Sequence, residues 1–127
     1  MATRAARLAK LLEVQEQLKA LHETRRAGFL AAAAAAEDEA RRLAARFDEA
    51  DSLSGLFPEL YHRRIANALA ERDRNVEQAR HEAGLVAQAT LRTNMVERSY
   101  RQTSREEERR QEDRQRLEII EGKLARS

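Results

Sequence analysis

Three histidines, His22, His62 and His81, are the side chains of this sequence best suited to metal binding or proton transfer. They lie far apart along the chain. No HExxH motif, paired metal-ligand spacing or Gly-rich phosphate loop accompanies them. Carboxylates are abundant, but the helical chain deduced below offers no concave pocket in which their pKa values would shift. We therefore expect a protein that is not an enzyme, with no catalytic, cofactor-binding or metal-binding residues and no cofactor.

Adjacent basic residues could contact phosphates at four places, namely Arg25-Arg26, Arg41-Arg42, His62-Arg63-Arg64 and Arg109-Arg110. Acidic residues lie within a turn or two of them, and aromatic residues do not alternate with them as base-stacking platforms would. The 24 basic and 22 acidic side chains leave a formal net charge of only +2. Because no strong overall field attracts polyanions, we expect no nucleic-acid partner.

The composition indicates which elements must position any functional residue. Ala, Glu, Lys, Leu and Arg fill 80 of the 127 positions, and the chain has one Pro, five aromatic residues and no Cys. A share above roughly half for these five types is typical of long helices and coiled coils. Strands need β-branched and aromatic residues separated by turns, so a sheet is not expected.

Apolar and small residues recur in steps of three and four along two segments, as an amphipathic helix requires. The first series is Leu11, Val14, Leu18, Leu21, Phe29, Ala32, Ala36, Ala40, Leu43, Phe47 and Ala50, with Arg25 filling the gap between Leu21 and Phe29, and the second is Tyr61, Ile65, Leu69, Arg72, Val76, Ala79, Ala83, Val86, Thr90, Asn94 and Glu97. Cap-forming residues, Gly55 and Pro58 lie between them. The sequence thus predicts an all-α fold: one domain, residues 1–127, forming a long antiparallel coiled-coil hairpin with a C-terminal helical overhang. Helix 1 spans about 3–50, the turn about 51–57 and helix 2 about 58–125.

Folding the chain near residue 55 brings together positions whose numbers sum to about 111. This register predicts Gly28 near Gly84, and the alanines of 31–36 opposite small residues of helix 2, so that the helices approach closely there. Steps of eleven residues from Leu18 to Phe29 and on to Ala40 predict a nearly straight middle. The start of helix 1, near Thr3, lies opposite residue 108 or so. Beyond that residue, helix 2 continues alone.

Two places are predicted to bind partners. Residues 101–116 contain no aliphatic or aromatic side chain, after which Leu117, Ile120 and Leu124 return with helical spacing and no counterpart in helix 1. The candidate site at this end comprises Leu8, Leu11, Leu12, Leu117, Ile120 and Leu124. The hairpin tip has more apolar residues than two helices can bury. The candidate site there comprises Phe47, Leu53, Leu56, Phe57, Leu60 and Tyr61.

The charged segment from Glu97-Arg98 to Leu124, which leads into Arg116-Leu117-Glu118-Ile119-Ile120-Glu121, resembles the ending of a family of bacterial export proteins. These are the flagellar type III export protein FliJ and its injectisome counterpart YscO. The resemblance covers nearly the whole chain in architecture. That family often has a Leu-Asp-Glu pattern where this chain has Ile119-Ile120-Glu121.

The resemblance implies a cytoplasmic stalk, free or peripheral at the inner-membrane export apparatus. It would be seated in the export ATPase ring by the end that holds Leu117, and would face the export gate protein with its tip. Export chaperones are further partners that the family implies. No membrane span is expected, because the longest apolar run, residues 27–36, is about half of the ~20 residues that one needs. A monomer is favoured; the alternatives are a scaffolding coiled coil that homodimerises, and a holdase-like adaptor.

Overall fold

The computed structural model describes residues 3–126, which form two long helices joined by a short loop. Helix α1 spans Arg4–Phe47, a 3-10 turn spans Leu53–Gly55, and helix α2 spans Pro58–Arg126. The described residues include no strand. The two helices pack against each other, so the predicted all-α helical hairpin is confirmed. Helix α1 ends three residues before the expected boundary near residue 50, and α2 closely matches its expected bounds.

Helix α1 ends at Phe47 because the loop folds back to satisfy its last carbonyl. The Ser54 hydroxyl lies 2.7 Å from the Phe47 carbonyl oxygen and donates to it, and the Ser52 hydroxyl lies 2.7 Å from that of Ser54. The final carbonyls of a helix have no intrahelical donor, so these serines replace the missing N–H groups. Pro58 then begins α2 with Glu59 in its first turn, where a lost N–H is harmless and a negative charge is favoured.

The chain divides into two compact units, each made of parts of both helices. The loop unit comprises Lys19–Ala87, and the terminal unit comprises the chain up to Leu18 together with everything from Gln88 onward. In the loop unit, Phe47 packs edge-on against Tyr61 with ring centroids 5.9 Å apart, and Arg72 lies 3.9 Å from Glu37. In the terminal unit, the Ala5 N–H donates to Glu107 at 3.3 Å. The residue numbers of these pairs sum to 108, 109 and 112, close to the predicted 111, whereas those of His22 and Glu82, whose side chains lie 2.7 Å apart, sum to 104.

The inward faces of both helices follow a heptad spacing, with alternating steps of four and three residues. On α1 the buried and half-buried series is Leu8, Leu12, Gln15, Lys19, His22, Phe29, Ala33, Ala36, Ala40, Leu43 and Phe47, with exposed Arg26 at the intervening position. On α2 it is Tyr61, Ile65, Ala68, Arg72, Asn75, Ala79, Glu82, Val86, Ala89, Thr93, Val96, Tyr100, Thr103 and Glu107. Steps of four and three that repeat in this way define a coiled-coil seam.

The predicted stripe was wrong for the first half of α1. Leu11, Val14, Leu18 and Leu21 are exposed by 40–49%, while Gln15, Lys19 and His22 face inward. On α2 the predicted series is on the seam at Arg72, Ala79 and Val86, but it is one position late at every other member from Leu69 onward, and Asn94 is exposed. Choosing the most apolar series failed because polar side chains occupy inward positions on both helices.

The expected close approach at the two glycines fails, and the predicted straight middle loses its basis in the sequence. A Cβ atom added at Gly28 or at Gly84 would have no heavy atom within 4 Å, and both glycines are exposed, so neither marks a close approach of the helices. The eleven-residue steps began at Leu18, which lies outside the seam, so they give no reason for a straight middle. Small residues are buried where the sequence predicted them, since Ala33 and Ala36 on α1 and Ala79 on α2 are at most 6% exposed.

Candidate protein-binding surfaces

The overhang of α2, defined here as residues 108–126, is helical and exposed along its whole length. Thr103 and Glu107 are the last residues of α2 that are buried or half-buried on the seam. Charged pairs one turn apart support the overhang, such as Arg110 with Glu106 at 4.0 Å and Arg116 with Asp113 at 3.9 Å. Such exposed pairs contribute only about 0.2–0.5 kcal/mol each.

Large aliphatic side chains gather at the end of the overhang. They are 52–69% exposed and comprise Leu117, Ile119, Ile120 and Leu124. Leu117, Ile120 and Leu124 follow one helical stripe, as the sequence predicted. A cluster of exposed aliphatic residues on a solvated helix is typical of a surface that another protein covers.

The structure divides the six residues predicted to bind a partner at this end. Leu8 and Leu12 are half-buried on the seam of α1, so much of their surface is already covered within the chain. Leu11 is exposed on a different side of α1. Glu107 contacts Ala5, and Leu117 lies ten residues further along α2, about 15 Å past the start of α1 at the helical rise. The predicted set therefore forms no single patch.

The tip residues also fall into two groups. Phe47 and Tyr61 are half-buried and pack on each other, and Phe47 also lies 5.1 Å from the ring of His62. The exposed group, at 47–75% exposure, comprises Leu53, Leu56, Phe57 and Leu60. Leu56, Phe57 and Leu60 line a shallow groove. Only this second group is available to a partner.

A side-chain contact that the sequence did not predict joins His22 of α1 to Glu82 of α2. Nδ1 of His22 lies 2.7 Å from Oε2 of Glu82, and Glu82 is only 6% exposed. The adjacent residue His81 is exposed. Among residues 3–126, no group of three or more His, Cys, Asp or Glu side chains is arranged to hold a metal ion. The His22–Glu82 pair thus belongs to helix pairing.

Comparison with protein-family models, curated proteins and solved structures finds no match to this chain. Function has to be argued from its own surfaces.

The third exposed apolar surface lies on the first half of α1, on the stripe that the sequence assigned to the seam. Within the terminal unit it comprises Leu11, Val14 and Leu18, which we call the outer face of α1. Its spacing of i, i+3 and i+7 is the same as that of Leu117, Ile120 and Leu124. The sequence pattern identified these residues but predicted that they are buried. Their spacing shows that they share one side of the helix, but it does not show whether that side faces α2 or solvent.

The adjacent basic residues lie on the solvated surface of the helices. Both members of Arg25-Arg26, Arg41-Arg42 and Arg63-Arg64 are exposed. Arg41 lies 3.4 Å from Glu37, which also approaches Arg72. Within the described residues, neither helix has a stretch that is long and apolar enough to cross a membrane.

Proposed function

We propose that this protein is a non-enzymatic coiled-coil component of a bacterial flagellar or related type III export apparatus, where it acts as a central stalk for the export ATPase. The observation that carries the proposal is the overhang. Its helix continues past the start of α1 and ends in exposed Leu117, Ile119, Ile120 and Leu124. The family resemblance described above supplies the identity of the apparatus.

The proposed stalk works through contacts rather than chemistry. The overhang carries aliphatic residues at its end and a charged stretch before them, so its surface differs from side to side and along its length. A ring of identical subunits around such a helix meets a different surface at each subunit. Because a ligand shifts a conformational equilibrium only through different affinities for the two states, this asymmetry biases the subunits unequally.

The hairpin tip is the proposed contact with the export gate protein or with export chaperones. Leu53, Leu56, Phe57 and Leu60 are exposed there, and the groove lined by Leu56 and Phe57 suits an apolar side chain of a partner. We place the protein in the cytoplasm, free or peripheral at the export apparatus. The exposed tip also favours the second candidate function, an adaptor that grips client proteins without an ATPase.

The test compares ATP hydrolysis by the cognate export ATPase with and without this protein. We expect the full chain to raise the rate, and a chain truncated before Leu117 to raise it much less. The control is Phe57→Ser, which alters the tip and should leave the stimulation intact. Equal stimulation by the truncated chain would remove the role of the overhang. Loss of client binding by Phe57→Ser, with no stimulation by the full chain, would establish the adaptor.

A further inference from the structure

The outer face of α1 is an anomaly that the helix pair does not explain. Leu11, Val14 and Leu18 are the most apolar series on this part of α1, yet they face solvent while Gln15 faces α2. The Gln15 Oε1 atom is buried without a hydrogen-bond partner in the described structure. Turning polar residues inward and leucines outward loses burial free energy in the isolated chain. A second apolar surface that covers the leucines would recover it.

The same unit of the protein carries a surface of matching spacing. The overhang stripe comprises Leu117, Ile120 and Leu124, and the outer face comprises Leu11, Val14 and Leu18, both at i, i+3 and i+7. Within one chain they cannot meet. Ala5 contacts Glu107, so Val14 and Ile120 lie on opposite sides of that contact, about 33 Å apart along the helices at 1.5 Å per residue.

We propose that two copies of this chain associate head to head, with the overhang of each copy packed on the outer face of α1 of the other. When two hairpins meet at these ends, the overhang of one copy runs parallel to α1 of its partner. Leu117 then meets Leu11, Ile120 meets Val14, and Leu124 meets Leu18. The arrangement has two-fold symmetry, so each contact occurs twice.

Charge by itself does not select this arrangement. The start of α1 carries Arg4, Arg7 and Lys10 and no acidic residue up to position 12. In this register, Arg7 of one copy lies beside Asp113 of its partner, whereas Arg4 lies beside Arg110 and Lys10 lies beside Arg116. Glu107 already accepts the Ala5 N–H within one copy. The register is therefore set by the two apolar stripes, and Arg7 with Asp113 is the opposite-charge pair that accompanies them.

The size of the contact also requires both stripes. A stable interface buries at least about 1,000 Å² in total, which three aliphatic side chains on one face do not reach. The symmetric arrangement covers two stripes on each copy, which is twelve aliphatic side chains in the dimer. It hides the same overhang residues that the proposed partner would bind, so the dimer and that partner exclude each other. The self-association itself does not depend on the identity of the partner.

Disulfide cross-linking tests the register directly, because the natural chain has no Cys. The variants are Val14→Cys and Ile120→Cys, each a change at an exposed position, with helix content checked by circular dichroism. We expect disulfide-linked dimers when the two variants are mixed and oxidised, and few from either variant alone. The matched control is Met95→Cys mixed with Ile120→Cys. Met95 is 68% exposed on α2 and lies outside the proposed interface, so this mixture should yield no linked dimer above background.

Three results would overturn the proposal. Efficient linking by Val14→Cys alone would mean that the outer faces pair with each other. Efficient linking by Ile120→Cys alone would mean that the overhangs pair with each other. Equal linking in the Met95 control would mean random collision. Sedimentation gives an independent measure: we expect Val14→Asp to raise the dissociation constant of the wild-type dimer by at least about tenfold, and an unchanged constant would also exclude the interface.

Discussion

The Nδ1 atom of His22 lies 2.7 Å from the Oε2 atom of Glu82, where the two helices face each other with Glu82 almost fully buried. A buried carboxylate needs a hydrogen-bond partner, because its desolvation is otherwise uncompensated. His22 supplies that partner from α1. The contact therefore ties the two helices together at one defined level within the loop unit.

Replacing His22 with Ala should lower the free energy of unfolding by about 1–3 kcal/mol, since Glu82 would lose its partner. Urea denaturation followed by circular dichroism measures this. The control is Arg80→Ala, which removes an exposed pair with Glu77 at 2.8 Å and should change stability by less than about 0.5 kcal/mol. If both variants unfold alike, the His22 contact contributes no more than a surface ion pair.

The assignment of the seam predicts different effects at two adjacent leucines. Leu12 is half-buried on the seam and Leu11 is 43% exposed beside it. In monomeric protein, Leu12→Ala should cost about 1–2 kcal/mol of unfolding free energy, and Leu11→Ala less than about 0.5 kcal/mol. The two variants remove the same atoms, so they control for each other. A larger loss of unfolding free energy for Leu11→Ala than for Leu12→Ala would instead support the buried stripe through Leu11 that the apolar pattern predicted.

Glycine replacement tests whether the helices approach closely at Gly28 and Gly84. Both glycines lie in helix interiors with open space around them, so Gly28→Ala and Gly84→Ala should each raise the free energy of unfolding by about 0.5–1 kcal/mol. Thermal unfolding measures the gain. A destabilising alanine at either position would instead indicate the tight contact that the sequence predicted.

The fold was predictable because helix propensity, loop composition and chain length all agree. Pro58 and the serines before it mark the loop, and the alanine- and charge-rich segments on either side have no alternative to helix. The overhang followed from simple counting, because the second segment is longer than the first. These features depend on local sequence and on the lengths of the two helical segments, and both can be read from a single sequence.

The direction in which each stripe faces was not predictable. Leu11, Val14 and Leu18 form a better apolar stripe than Leu8, Leu12 and Gln15, so an apolar criterion selects the wrong face. What decides the orientation is the summed packing of α1, where Phe29, Ala33 and Leu43 continue the heptad spacing that begins at Leu8. The His22–Glu82 contact was missed for the same reason, since His22 follows Leu21 and Glu82 precedes Ala83 of the predicted series.

The alanines of the seam have a consequence for alignment between the helices. The buried residues of the seam include Ala33, Ala36 and Ala40 on α1 and Ala68, Ala79 and Ala89 on α2. Because all of them are alanines, a shift of one helix along the other by seven residues would change little at these positions. The same slide would carry Glu82 from His22 to Gln15 or to Phe29. Loss of its imidazole partner penalises both slipped alignments, as buried polar residues do in other coiled coils. The His22–Glu82 hydrogen bond thus adds to the Phe47–Tyr61 packing in fixing how the two helices align within the loop unit.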